Sequence, residues 1–482
     1  MQFLKKNYGL LIVLLLSFWA IAPFFASGFF PIHDDTQVAR VFEMGKVLKM
    51  GIFPVRFVPD LGYGYGYPIF NFYAPLAYYT GGAVMLLGFD ALIATKIMMA
   101  LGIVLAGVLM YFLSREFFGE LGGIVSGLFY VYAPYHAVDI YVRGDVAEFW
   151  AYAFIPLAFL GLYKKNILLG VIGFAGLILS HNLTALMVAP FLFIAGLLLV
   201  IFSKKESRMH NTSYLILYTL LGLAISAFYW IPVFAEMKNT NVLSQIAGGS
   251  DFRNNFVCIQ QLWNSPWGFG GSVPGCIDGL SFKIGKLHII ISILAFVVAM
   301  LCGKVRKSRN GIIIFISFLG FLISAILTLE VSKPIWELIS PMAFFQYPWR
   351  FLMMVSFFAS ILAGSSVYLL RQFRIRYFVA LVLILLLLIF NVKLFIPQTI
   401  LTKTAADYTN ENTLKWTVSK ISDEYLPRNF VKAKSQKDVY RGQVNIRVME
   451  TNIERISNLI SLIGLLALAI GIIKFKEKAK YE

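Results

Sequence analysis

Directly after the first long apolar run the chain turns polar with His33, Asp34 and Asp35. A carboxylate there can take the proton of a hydroxyl as a general base, and its neighbour can help place a reactant or a cation. The pair also suits a plainer role. Aspartates ahead of a helix accept from its free N–H groups and oppose its dipole, and a helix is expected to begin at Thr36. A second set lies in and just before the string YVRGDVAEFW, where Asp139, Arg143, Asp145 and Glu148 mix both signs of charge. Acids beside an arginine form either a reaction site or a local ion pair at a helix start. The residue types alone leave both readings open.

Between these sets runs GYGYGYPIFNFYAP, residues 62–75. Its glycines permit tight turns, and Tyr65, Tyr67 and Tyr73 offer flat apolar faces with hydroxyl edges that suit a sugar ring or a lipid head, with Asn71 as a polar partner. An interfacial aromatic belt has the same composition. His181 with Asn182, and Arg350 after Tyr347, Pro348 and Trp349, complete the candidates. A guanidinium at Arg350 can hold phosphate through two parallel hydrogen bonds, or can snorkel to a membrane surface.

Other chemistry is excluded. There is no phosphate-binding loop and no complete GxGxxG; the glycines from Gly268 to Gly275 lack a strand-to-helix setting. The apolar runs hold almost no ionisable residues, which argues against an ion-coupled transporter. A formal charge of +17 without a long basic stretch does not point to nucleic acid.

The elements that must position these residues are membrane spans. Hydrophobic residues make up 59% of the 482 and charged ones 14%, and the mean hydropathy is +0.75, so water is not the main solvent. Apolar runs of roughly 17–22 residues match the thickness of a bilayer core. They predict an all-α polytopic membrane protein with about 12 transmembrane helices near 8–29, 91–113, 120–135, 146–163, 166–180, 183–202, 213–235, 286–302, 311–328, 350–370, 377–396 and 456–473.

Basic clusters separate these runs in pairs: Lys5 and Lys6, Arg115, Lys164 and Lys165, Lys204 to Arg208, Lys304 to Arg309, Arg371 to Arg376, and Lys474 to Lys480. Placing them all inside puts both termini in the cytoplasm and requires 73–89 to be a re-entrant or interfacial helix. Segments 30–90, 136–146, 236–285 and 397–455 then face outward. Residues 1–396 form the main transmembrane module, 397–455 an outer segment, and 456–482 a last helix with a basic tail. Val38, Val41, Phe42, Gly45, Val47 and Leu48 give an amphipathic stretch suited to lying on the membrane. The first apolar run is longer than a signal-peptide core, which favours an uncleaved helix. Cys258 and Cys276 share an outward loop, where a disulfide and two free thiols are both open readings.

An acidic pair after the first helix, an amphipathic helix beyond it and further acids in the next outer loop resemble the C-type glycosyltransferase (GT-C) superfamily of membrane enzymes. The strings around Asp34, GYGYPIFNFYAP and YVRGDVAEFW more closely resemble the 6-pyruvoyl-tetrahydropterin synthase-related membrane domain family, over roughly residues 30–370. The five histidines are scattered and give no pterin-synthase zinc signature, so that family name does not indicate the chemistry.

The superfamily resemblance implies a polyprenyl-phosphate sugar donor, an acceptor on the outer face and a GT-C-like bundle. It implies Asp34 as general base, with Asp35 and Glu148 placing acceptor, donor or a divalent metal ion. His33, Tyr65, Tyr67, Asn71, Tyr73, Arg143, Asp145, His181, Asn182 and Arg350 are the candidate substrate contacts. Asp145 departs from the family's pattern, which expects a small residue after the Arg-Gly pair. A lipid-linked glycan flippase and a non-enzymatic assembly protein are the alternatives; the first would need a polar central passage.

Overall fold

In the computed structural model, residues 8–242, 250–442, 444 and 450–481 are described. Lys5 and Lys6 lie outside them, as do the side chains from Lys474 to Lys480. The described chain is helical, and its β structure is limited to isolated bridges such as Phe29 with Leu401. Nine helices among the described residues are long and apolar enough to cross a membrane. The sequence count of 12 also took in Ile167–Ser180 and Lys286–Leu301, which are shorter, and divided Ala91–Val131. That last helix is broken at Gly119, whose φ of 75° and ψ of −174° are open to glycine but strained for other residues.

The chain forms two compact units. The first comprises Met1–His33, Met99–Pro156 and Ile246–Thr402. Within it the two arms on either side of Gly119 fold back on one another, with Gly107 against Val131 and Gly123 against Tyr111. Cys258 and Cys276 are joined in a disulfide that closes the loop before Lys286–Leu301. Pro348–Tyr368 is the most enclosed of the long helices, with 89% of its apolar window buried.

The second unit comprises Asp34–Met98, Leu157–Gln245 and Lys403–Glu482. Here Lys205–Glu236 runs against Asn452–Tyr481, fastened where Ser461 Oγ donates to Ala224 O at 3.0 Å and accepts from Phe228 N at 2.7 Å. Gly170 and Gly222 let Ile167–Ser180 approach the same long helix at Tyr218 and Phe174.

The amphipathic stretch forms the expected helix, with part of its apolar face against protein. Gln37–Lys49 packs against Leu76–Leu86, because Gly45, Gly81 and Gly82 let the two backbones close on Met85, Val41 and Met44. Val38, Val41 and Val47 are 2%, 0% and 0% exposed, so their face is protein-covered. At 11 residues, Leu76–Leu86 is about 16 Å long, roughly half of what a span requires.

Candidate active site

In the first unit Pro134–Val138 starts a helix that widens into a π-turn over Asp139–Arg143 and ends at Gly144, in the left-handed region at φ 64°. A new helix begins at Val146, and Asp145 Oδ1 accepts from Glu148 N at 3.1 Å in its first turn. This reversal throws Asp139, Arg143, Asp145 and Glu148 onto one another, all buried. Arg143 reaches all three acids: Asp139 Oδ1 through Nη1, Asp145 Oδ2 at 2.7 Å and Glu148 Oε2 at 2.9 Å.

Arg350 arrives from Pro348–Phe351, with Nε 3.1 Å from Glu148 Oε2 and Nη2 3.8 Å from Asp145. Its Nη1 donates to Phe345 O at 3.0 Å and to Gln346 Oε1 at 3.2 Å. Tyr135 donates its hydroxyl to Glu148 Oε1, and the Trp349 ring lies 4.8 Å below the Arg143 guanidinium. Burial raises the Asp139 carboxyl pKa above its ordinary value, with Glu148 adding to the shift and Arg143 opposing it.

Single oxygens of Asp139, Asp145 and Glu148 lie within 4.8 Å of one another, a spacing that could hold a metal ion. Two guanidinium groups already sit against these oxygens, so a divalent cation would compete with Arg143 and Arg350 for them. The trio is thus an ion-paired network whose oxygens are already engaged by two arginines. His33, exposed in the same unit, bonds Phe269 O through Nε2 at 2.9 Å, and its backbone N–H donates to Val142 O at 2.9 Å.

The second unit holds the acid pair. Asp34 and Asp35 are half-buried. The N-cap of Gln37–Lys49 is Thr36, which makes no side-chain capping bond. Asp35 lies 3.8 Å from Lys403 Nζ, and burial raises its pKa while Lys403 opposes the shift. One turn on, Arg40 is 4% exposed. It donates to Ser422 Oγ at 3.0 Å and Tyr78 Oη at 3.4 Å and lies 4.5 Å over the Tyr73 ring. Glu424 and Asp34 are the carboxylates whose charges act on it. Burial raises the Glu424 pKa, and Arg40 opposes it.

Tyr67 is fully buried, with its hydroxyl accepting from Tyr425 N at 3.1 Å and 3.5 Å from Ser422 Oγ. Tyr65 is 51% exposed and stacks on Tyr440 at 5.0 Å. Asn71 joins Arg56 and Glu236, at 3.1 and 2.7 Å. His181 Nδ1 meets Thr184 Oγ1 at 2.8 Å, and Asn182 Oδ1 accepts from Leu183 N at 2.9 Å.

The family profile of the 6-pyruvoyl-tetrahydropterin synthase related domain, a membrane protein, matches residues 70–398. The chain belongs to this family. With its apolar helices, this places the pterin-synthase-related chain among multi-pass membrane proteins. A relative from Lactococcus lactis subsp. cremoris (strain MG1363), named only as an uncharacterized protein, is 25% identical over 281 residues. That alignment covers 54% of this chain and 45% of the relative, so the chain spans less than half of the relative's length.

Among solved structures, the mycobacterial arabinofuranosyltransferase AftD is similar over 82% of this chain and 27% of its own, at 14% identity and a TM-score of 0.49. ArnT from Cupriavidus metallidurans, solved with undecaprenyl phosphate bound, is similar over 75% of this chain and 78% of its own, at 10% identity and 0.36.

In this member of the pterin-synthase-related family, the structure draws Arg143, Asp145, Glu148 and Arg350 together in the first unit. Asp34, Asp35, Tyr65, Tyr67, Asn71, Tyr73, His181 and Asn182 fall in the second. Reading the sequence missed Tyr135 and Arg40. The signal for Arg40 was available: a lone arginine among Val38, Ala39 and Val41 must be covered by the protein or break the apolar face.

Proposed function

We propose that this protein is a membrane glycosyltransferase of the C type, transferring a sugar from a polyprenyl-phosphate donor to an acceptor on the non-cytoplasmic face. The observation that carries the reading is the state of Asp34 and Asp35: half-buried ahead of Gln37–Lys49, while the N-cap position belongs to Thr36. Half-buried carboxylates keep part of their surface toward solvent, where an acceptor hydroxyl can approach. Asp34 takes the proton of the acceptor hydroxyl as the new C–O bond forms at the anomeric carbon. The bond from that carbon to the phosphate oxygen breaks, and polyprenyl phosphate leaves with the electron pair. Asp35 and Arg40 flank this base, and the exposed Tyr65 offers a ring face to a sugar.

The Asp139–Glu148 network holds its loop in shape, so Glu148 acts as a positioning residue and Arg143 as its counter-charge. The test is transfer by the purified protein in detergent, with a polyprenyl-phosphate sugar and no membrane gradient. Release of polyprenyl phosphate with a glycosylated product is the expected result; a donor that stays intact with every acceptor class supplied rejects the reading.

A further inference from the structure

The second unit contains a cavity of about 610 Å³ that the proposed transfer does not use. One side is apolar and aromatic: Ile52, Pro54, Phe57, Phe72, Tyr425 and Pro427 line it, and the Phe72 and Tyr425 rings stack at 5.5 Å. The other side is a chain of polar groups fixed to one another. Arg56 Nη1 donates to Asn71 Oδ1 at 3.1 Å and Nη2 to Asn458 Oδ1 at 2.8 Å, with Nε 3.5 Å from Glu454 Oε1. Asn71 Nδ2 donates to Glu236 Oε2 at 2.7 Å and Asn458 Nδ2 to Glu450 Oε1 at 2.7 Å. Thr451 donates through Oγ1 to Glu236 at 3.1 Å and through its N–H to Glu454 at 2.6 Å.

A cavity of this size, with one apolar wall and a pre-oriented polar end, has the make-up of a small-molecule site. Its charge selects the ligand. Among the lining residues Glu236, Glu450 and Glu454 face one cation, Arg56, so two carboxylate charges are left over. Each of these carboxylates keeps acceptor positions beyond its bonds to the protein. Aromatic rings opposite carboxylates bind ammonium groups by both ring face and charge. The polar end also sits where two apolar spans finish, since Glu236 closes Lys205–Glu236 and Glu450 to Glu454 open Asn452–Tyr481. That is the level at which an amphiphile carries its head.

We infer that this cavity binds an amphiphile bearing a protonated amine, with the ammonium on the Glu236–Glu450–Glu454 side and its apolar part along Phe57, Phe72 and Tyr425. This site is separate from the transfer reading and stands whether or not transfer is found. The test is native mass spectrometry of the delipidated full chain, titrated with two matched pairs of probes. Dihexanoyl phosphatidylethanolamine is set against dihexanoyl phosphatidylglycerol, and octyl 2-aminoglucoside against octyl glucoside.

At least one amine probe should bind about tenfold more tightly than its amine-free partner. A preference in the first pair assigns a lipid headgroup, and one in the second assigns an amino sugar. Glu236→Gln and Glu450→Gln, which remove charge at different points of the chain of bonds, should each reduce the preference in folded protein. Equal binding within both pairs, or a preference intact in both variants, overturns the inference; the wild-type comparison alone decides it if the variants do not fold.

Discussion

In the first unit Arg143 touches three carboxylates, Arg350 leans on two of them, and Tyr135 takes the remaining oxygen of Glu148, all of it buried. In the second unit Asp34 and Asp35 are half-exposed, with a lysine at 3.8 Å from one and the buried Arg40 acting on the other. The two regions resemble each other in sequence, since each is a short polar string beside an apolar run. Their physical states differ. Charges enclosed among their partners hold a backbone in place, whereas carboxylates left at a surface can meet a substrate. A site residue is thus distinguished less by its type than by how far it is enclosed.

The largest test of that contrast is Asp34→Asn. The amide keeps an oxygen that accepts hydrogen bonds but takes no proton near neutral pH, so transfer should fall by about 10² to 10⁴. Melting temperature and donor binding should stay near wild type. Asp35→Asn, assayed beside it, shows which acid carries the proton. Near-normal transfer in both would move the reaction away from this pair.

Glu148→Gln comes next and should act on folding. It leaves Arg143 and Arg350 facing one fewer charge in a buried place, and breaking such a pair costs about 3 kcal/mol or more. Thermal unfolding and detergent-solubilised yield read this out. A variant as stable as wild type but without transfer would make Glu148 a reacting group and remove the contrast between the units.

Arg350→Lys sharpens the same point with a smaller effect. An ammonium cannot reach Phe345 O, Gln346 and Glu148 together, so stability should drop by about 1.5–3 kcal/mol. Donor affinity should be unchanged, because the guanidinium is already occupied. Weakened donor binding at full stability would instead assign Arg350 to the phosphate.

The spans were legible because a bilayer fixes their length and because loops concentrate the basic residues. The break at Gly119 was approximated from two separate apolar runs. What the string YVRGDVAEFW could not reveal was burial: its three charged residues, with Asp139 just before them, read as an outward loop, and only the turn at Gly144 folds them inward. Arg40 was hidden for a different reason, as its partner Ser422 is 382 residues away. The Arg56 cavity needs Asn458, at a separation of 402. Local pattern marks candidate acids, but which of them are enclosed depends on contacts that no short window contains.

The smallest expected effect tests the exposed side of the comparison through pH. Burial raises the Asp35 pKa, and Lys403 only partly opposes this. A carboxyl with a raised folded pKa binds its proton more tightly in the folded state than in the unfolded one. Its stabilising contribution is therefore present below the ordinary value near 3.9, and is lost as pH rises through the folded value. At pH 7 the ionised Asp35 is a small burden, kept small because the side chain is 36% exposed. Asp35→Asn should melt at the same temperature as wild type or slightly higher at pH 7, and this advantage should shrink toward pH 4. Lys403→Met should do the reverse, lowering the melting temperature at pH 7 with little effect at pH 4. If Asp35→Asn is instead the less stable protein at pH 7, Asp35 is held by its partners as firmly as Glu148, and the two units handle their acids alike.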